Sequence, residues 1–271
     1  MSTDTLLTEQ LLPLALDDPT APHIAWPPRL CTDCQTDRTP RRDRRASTPG
    51  PSLALANLDC GQPIVEPIGN RSVVYRTAKR AIDVLGALTL LLLLAPVMLA
   101  VLAVLLVTTK GRPFFVQPRI GYLGRRFPMI KFRTMRLDAD KLQHLVQNQH
   151  NDGPIFKNRR DPRITALGRL LRRTSLDETP QLINVLLGHM SLVGPRPPVE
   201  KEVRQYKAWQ RRRLAVKTGL TCLWQVSGRS EIGFEDWVRM DIWYGQNQSL
   251  RTDLKLLLLT PWSVLTCRGA Y

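Results

Sequence analysis

Residues 84–107 read VLGALTLLLLLAPVMLAVLAVLLV, an uncharged apolar run. At 1.5 Å per residue its roughly 24 residues are long enough to cross a hydrocarbon core of about 30 Å, so the run predicts a membrane segment. Pro96 divides it into two arms of about 12 residues, about 18 Å each, and neither arm alone crosses that core. Two forms follow, a re-entrant hairpin that returns to the face it entered and a kinked helix that spans. Arg71, Arg76, Lys79 and Arg80 precede the run, and Lys110, Arg112, Arg119, Arg125 and Arg126 follow it. Because basic flanks stay on the cytoplasmic side, only re-entry satisfies both groups.

Outward from this segment the chain divides in two. Residues 1–70, rich in Pro, Thr, Asp and Arg, lack sustained periodicity and predict a flexible tail ahead of a domain over residues 71–271, whose catalytic part would be 108–271. Within the tail, Cys31 and Cys34 form a CxxC without a second ligand pair downstream. The cluster Arg38, Arg41, Arg42, Arg44 and Arg45 reads equally as a solvated stretch or as a contact for anionic headgroups. Beyond the apolar run, Pro113-Phe-Phe-Val and Phe127-Pro-Met-Ile-Lys-Phe predict strands around a Gly121–Gly124 turn. Thr165–Arg173, Pro180–Leu187 and Glu200–Lys217 predict helices. Tyr206 and Trp209, beside Arg211, Arg212 and Arg213, suit a helix lying in the headgroup layer, with packing on the core as the other reading. Leu250–Leu265, interrupted by Asp253, Lys255 and Pro261, is amphipathic. The expected fold class is therefore mixed α/β and helix-rich, with one N-terminal membrane helix, re-entrant or kinked and spanning, and interfacial amphipathic helices.

Composition bounds the function. The 271 residues carry 39 Lys+Arg against 23 Asp+Glu, a net charge of +16, which asks for an anionic partner: nucleic acid, an acidic lipid surface or a phosphorylated substrate. Hydrophobic residues, 43% of the chain, suffice for a core and exclude disorder throughout, while 21 prolines and a single long apolar run exclude a polytopic membrane protein. Five cysteines without a leader at the start predict a reducing, cytoplasmic setting. With four histidines in no recognisable pairing, and no Walker, dinucleotide or HExxH signature, histidine-based catalysis is not expected.

The chemistry gathers at Leu171-Arg-Arg-Thr-Ser-Leu-Asp-Glu-Thr-Pro-Gln-Leu182, where Asp177 and Glu178 follow Arg172 and Arg173. One reading is purely local: Ser175 and Glu178 form a capping box, with Pro180 in the first helical turn. The other makes the same residues a diphosphate pocket, with guanidinium groups, a helix start and carboxylate-bound Mg²⁺, in which an ionised Asp attacks phosphorus without a general base. A basic membrane-tethered module for nucleic acid or acidic polysaccharide would explain the charge but not the acidic pair. Asp138-Ala-Asp140 has the spelling of a DxD metal motif in a charge-alternating stretch expected to face solvent.

The ordered set Lys79-Arg-Ala-Ile-Asp83, the apolar run with its central Pro96, Lys131-Phe-Arg-Thr-Met135, Asp161-Pro-Arg-Ile-Thr165, Thr174-Ser-Leu-Asp-Glu178, Val193-Gly-Pro-Arg-Pro197, Gly219-Leu-Thr-Cys-Leu-Trp-Gln-Val-Ser-Gly-Arg229 and Arg268-Gly-Ala-Tyr271 resembles the bacterial sugar transferase family, in its short exopolysaccharide-type form. These are monotopic polyprenyl-phosphate sugar-phosphate transferases of the undecaprenyl-phosphate galactose or glucose phosphotransferase kind. The resemblance implies transfer of a sugar-1-phosphate from a UDP-sugar to undecaprenyl phosphate, through a phosphosugar-aspartate, with release of UMP. It places the protein at the bacterial inner membrane with its catalytic part facing the cytoplasm, supplying downstream glycosyltransferases, with no nucleic acid partner and a homodimer left open. Matched by position, Asp177 is the nucleophile, Glu178 its Mg²⁺-associated partner, and Arg172 and Arg196 phosphate contacts. Lys131 and Arg133 either add to phosphate binding or form an exposed basic strand face; Asp241 either assists the metal or a ribose or is a surface acid. Two positions depart from the pattern: Ala95 stands before the proline where many relatives have Ser, and Thr218-Gly-Leu-Thr-Cys222 stands where many read Pro-Gly-Ile-Thr-Gly.

Overall fold

The computed structural model describes residues 67–142, 144, 146, 153–154, 158, 161–227 and 232–265, all within one unit spanning Leu55–Tyr271. The CxxC, the tail arginines, Arg229 and the closing Arg268–Tyr271 lie outside the described residues. The end of the expected tail is already part of the fold: Ile68 N–H donates to the Ala215 carbonyl at 3.1 Å, and the Asn70 side chain reaches the Gln248 carbonyl at 3.3 Å.

The apolar run forms the middle of a 36-residue helix, α1 (Val73–Thr108), with Pro96 inside it and Ser72 as its N-cap. It is one helix long and apolar enough to cross a membrane. Leu85, Leu92, Leu93, Leu99 and Val107 are exposed along it. Its polar N-terminal turns face the protein. Arg80 donates to the carbonyls of Val185 and Leu186, at 2.7 Å each, and Asp83 accepts from Ser191 Oγ and the Leu192 N–H, at 2.8 Å each. Beyond Pro96 the C-terminal part of α1 also packs on the protein, where Leu105 is buried with Phe132 and Leu171, flanked by Met98, Val101 and Leu102.

Strands β1 (Phe114–Ile120) and β2 (Arg126–Phe132) pair antiparallel from Phe114↔Phe132 to Ile120↔Arg126, as the two apolar segments around Gly121–Gly124 predict. Helix α2 (Ala166–Arg173) begins at Thr165, whose Oγ1 accepts the Gly168 N–H at 2.9 Å. A β-carbon at Gly168 would lie 2.0 Å from the Thr134 carbonyl oxygen, so glycine lets α2 ride directly on the chain that leaves β2. A tight turn leads to α3 (Gln181–Leu186), then β3 (Ser191–Val193) pairs in parallel with β4 (Gly219–Thr221). Between them lie α4 (Glu200–Val203), α5 (Ala208–Arg211) and a 3₁₀ turn at Arg212–Ala215; after them come α6 (Leu223–Ser227), α7 (Phe234–Gln246) and α8 (Leu250–Leu265).

The structure corrects the single helix expected over Glu200–Lys217. The buried Arg213 requires partners, and the chain bends to supply them: Tyr206 Oη lies 2.9 Å from its Nη1 and Tyr206 itself is 4% exposed. Tyr206 therefore packs in the core with Phe234 and Trp237 rather than in a headgroup layer, and Trp209 packs against the same cluster. Residues 137–142 form turns, and Asp138 pairs in solvent with Arg136. In α8 the exposed side chains include both apolar and charged ones, Arg251 and Lys255 among them. Leu250, Leu254, Leu258 and Trp262 recur every four residues on the exposed face, while Asp253 and Leu256 are buried. Asp253 accepts hydrogen bonds from Tyr75, Lys79 and Tyr244, which ties α8 to the start of α1.

Candidate active site

The acidic pair sits between α2 and α3 in a 3₁₀ turn, Leu176–Glu178, entered through Ser175 at φ 58°. This overturns the capping box. The Ser175 hydroxyl caps nothing, and the Glu178 side chain turns away from it, because two cations from distant segments offer stronger partners. Lys131 Nζ of β2 lies 2.9 Å from Glu178 Oε1, and Arg196 Nη1, on the Gly-Pro-Arg-Pro segment after β3, lies 3.3 Å from the same oxygen. Burial alone would raise the Glu178 pKa, but Lys131 and Arg196 outweigh it and hold the carboxyl well below its ordinary value.

Asp177 is treated differently by the same fold. It is 7% exposed, and its carboxylate accepts no hydrogen bond from any described side chain. Burial, reinforced by the neighbouring Glu178 charge, pushes its pKa up to about 6, against the pull of Lys131, Arg172 and Arg196. Arg172 belongs to the last turn of α2, and its Nε donates to Thr134 Oγ1 at 3.0 Å. The contact of Gly168 with the Thr134 main chain makes that reach one turn later geometrically available. Arg172 makes no ion pair with a described carboxylate, and burial lowers its pKa while Asp177 opposes the shift.

Five expected site residues therefore come together: Asp177, Glu178, Lys131, Arg172 and Arg196. Two do not join them. Arg133 closes the root of the hairpin, donating to the carbonyls of Arg112 at 2.8 Å and Phe114 at 3.0 Å, with its guanidinium over the Phe115 ring. Asp241 is not a surface acid; it is 1% exposed on α7 and faces Arg213, with Nη2 2.6 Å from Oδ2 at angles of an ion pair rather than an aligned hydrogen bond. Burial raises its pKa to about 6 despite Arg213. The same Arg213 donates to the Arg196 carbonyl at 3.1 Å, so Asp241 supports the site from behind.

Among the described residues no group of three or more His, Cys, Asp or Glu could hold a metal ion. The pair does suit a cation that takes one or two carboxylates and completes its shell with phosphate oxygens, as Mg²⁺ does, since the Asp177 carboxylate accepts no hydrogen bond from a described side chain and Glu178 engages its cations through a single oxygen. Thr134 and Arg213 were not singled out by sequence reasoning. Thr134 lies within the Lys131–Met135 motif, but Arg213 is one arginine in a run of three and nothing local distinguishes it.

A family model for bacterial sugar transferases matches residues 74–267, a span that contains every residue of this site. The chain belongs to the bacterial sugar transferase family. It is 45% identical over 197 residues to the galactosyl transferase CpsE of Streptococcus agalactiae, covering 71% of this chain and 43% of that protein. Identity is 41% over 206 residues to the undecaprenyl-phosphate galactose phosphotransferase of Salmonella typhimurium, covering 72% and 42%. The exopolysaccharide production protein ExoY of Rhizobium meliloti is 39% identical over 212 residues, covering 76% and 91%. The chain thus spans less than half the length of the first two relatives and most of the third.

Proposed function

We propose that this sugar transferase moves a sugar-1-phosphate from a UDP-sugar to undecaprenyl phosphate, releasing UMP, as the first membrane step of exopolysaccharide or O-antigen synthesis. The relatives' names supply the lipid carrier and the polysaccharide context. The observation that carries the reaction is a buried carboxylate, Asp177, without a hydrogen bond from any described side chain, beside one that two cations hold fast.

Asp177 attacks the phosphorus next to the sugar, forming an Asp177 O–P bond and breaking the bond to the bridging diphosphate oxygen, whose electrons leave with UMP. Undecaprenyl phosphate then attacks the same phosphorus, displaces the Asp177 carboxylate and forms the lipid diphosphate sugar. Arg172, held by Thr134, and Arg196, held by Glu178 and Arg213, offer guanidinium groups to phosphate oxygens where negative charge shifts during transfer. Glu178, with Asp177 adjacent, would hold Mg²⁺, which when bound would supply charge neutralisation for the diphosphate. Asp241 has no part in that shell, because Arg213 engages it in the core. Incubating detergent-extracted protein with Mg²⁺, undecaprenyl phosphate and a panel of UDP-sugars should release UMP, and release of UDP would overturn the reading.

The same proposal makes α1 re-entrant, with the catalytic part on the cytoplasmic face of the inner membrane. Asp83 and Leu105 stand on opposite sides of Pro96 and are both seated on the catalytic body, which a straight crossing would prevent. With Arg71→Cys or Lys110→Cys as probes, a membrane-impermeant thiol reagent should label neither in intact cells; labelling of either one contradicts re-entry.

A further inference from the structure

A cation not absorbed by this account lies next to Arg196. Arg119, on β1, is half-buried and donates from Nη1 to the Pro197 carbonyl at 3.1 Å and from Nη2 to Gln117 Oε1 at 2.9 Å. Both acceptors are neutral. Its Nε is buried and has no hydrogen-bond partner, and the side chain makes no ion pair with any described residue. Burial, together with the nearby Arg196, lowers its pKa to about 10 against the pull of Glu202 and Glu178, neither of which is close enough to form an ion pair with it. A desolvated guanidinium held by neutral acceptors beside a second guanidinium is costly unless an anion completes it.

The backbone shows that this placement is built. The Ile120 N–H donates to the Pro198 carbonyl at 2.9 Å, so β1 is laced to the Gly-Pro-Arg-Pro segment at the residue next to Arg119. Arg119 acts electrostatically on Glu178 and Lys131, whereas the strongest charges felt by Asp177 are Glu178, Lys131, Arg172 and Arg196. Arg119 therefore stands on the Glu178 side of the pair, set back from the nucleophile.

We infer that Arg119, oriented by Gln117 and the Pro197 carbonyl, binds the phosphate of the donor that is remote from the sugar, the one that leaves with the nucleoside. This rests on the donor reading above and adds a residue to it. Asp177 needs the sugar-side phosphorus within reach, which carries the second phosphate past Glu178 toward Arg196 and Arg119. There the guanidinium meets the charge that accumulates on the leaving phosphate.

The test compares ligands that differ only by that phosphate. The full chain in detergent micelles is titrated with UMP and with uridine, as wild type, Arg119→Gln and Arg119→Lys. Arg119→Gln should weaken UMP by about 10- to 100-fold, the worth of a charge-assisted contact, and leave uridine unchanged; Arg119→Lys should recover part of the loss. Unchanged UMP affinity in Arg119→Gln overturns the inference, and so does an equal loss of UMP and uridine, which would make Arg119 a structural residue. A parallel titration with undecaprenyl phosphate separates the two phosphate sources, and a loss confined to that lipid also overturns it. Wild type binding neither UMP nor uridine would instead sink the donor reading itself.

Discussion

Lys131 Nζ lies 2.9 Å from Glu178 Oε1, while Asp177, the residue before Glu178, receives no hydrogen bond from a described side chain. Two adjacent carboxylates are thereby given different states, one fixed in an ion pair and one buried and raised in pKa. Asp177→Asn should abolish turnover, because an amide supplies no anionic nucleophile, and its melting temperature should equal or exceed that of wild type, because ionised Asp177 is disfavoured by burial. Activity and thermal unfolding measured on one preparation check both halves.

The acid limb of the donor reaction should follow Asp177. With its pKa raised to about 6, the nucleophile is ionised above that pH, and the rate falls about tenfold per unit below it. Lys131 lowers the Asp177 pKa, so Lys131→Met should move the acid limb to higher pH. A pH profile of UMP release for both proteins measures the shift, and an unmoved limb would remove Asp177 from the titration.

Glu178→Gln should cost about 2–3 kcal/mol at pH 7, since it leaves Lys131 and Arg196 as partly buried cations without their carboxylate. The folded-state pKa of Glu178 is depressed, so the stabilisation it provides is full above the unfolded value near 4.5 and is lost as pH falls through the folded value. Denaturant melts from pH 7 down to 3 should show the gap between variant and wild type closing only below about pH 4.5. Chelation of Mg²⁺ should stop turnover in wild type and be reversed by adding the ion.

Ser175→Gly should raise stability by about 0.5 kcal/mol, because the residue sits at positive φ without a hydrogen bond to justify a side chain there. Ser175→Ala should change stability by less than about 0.5 kcal/mol, whereas an N-cap serine would cost about 1 kcal/mol when removed. Thermal melts of the two variants decide between the turn and a capped helix.

These outcomes mark where the sequence is readable. The hairpin was legible because two short apolar segments flank glycines at a turn, and α2 because Thr165 precedes a stripe of apolar residues. Asp177, Glu178, Arg172, Arg196 and Lys131 were legible as members of ordered motifs. What single-segment patterns hid was pairing at a distance: Glu178 could be read as a local cap because Lys131, 47 residues earlier, is invisible to local periodicity. The Glu200–Lys217 segment misled for the same reason. Its aromatic and basic residues look interfacial one turn at a time, and only the burial of Arg213 with Tyr206 and Asp241 shows that these two, Tyr206 and Arg213, turn inward.

The covalent intermediate is the centre of the account, and it is open to direct observation. Protein mixed with Mg²⁺ and a UDP-sugar in the absence of undecaprenyl phosphate should release at most one equivalent of UMP, and mass spectrometry should find the phosphosugar on the peptide that carries Asp177. If UMP forms only when the lipid acceptor is present and no phosphosugar adduct appears at Asp177, transfer is direct and the role assigned to Asp177 is contradicted.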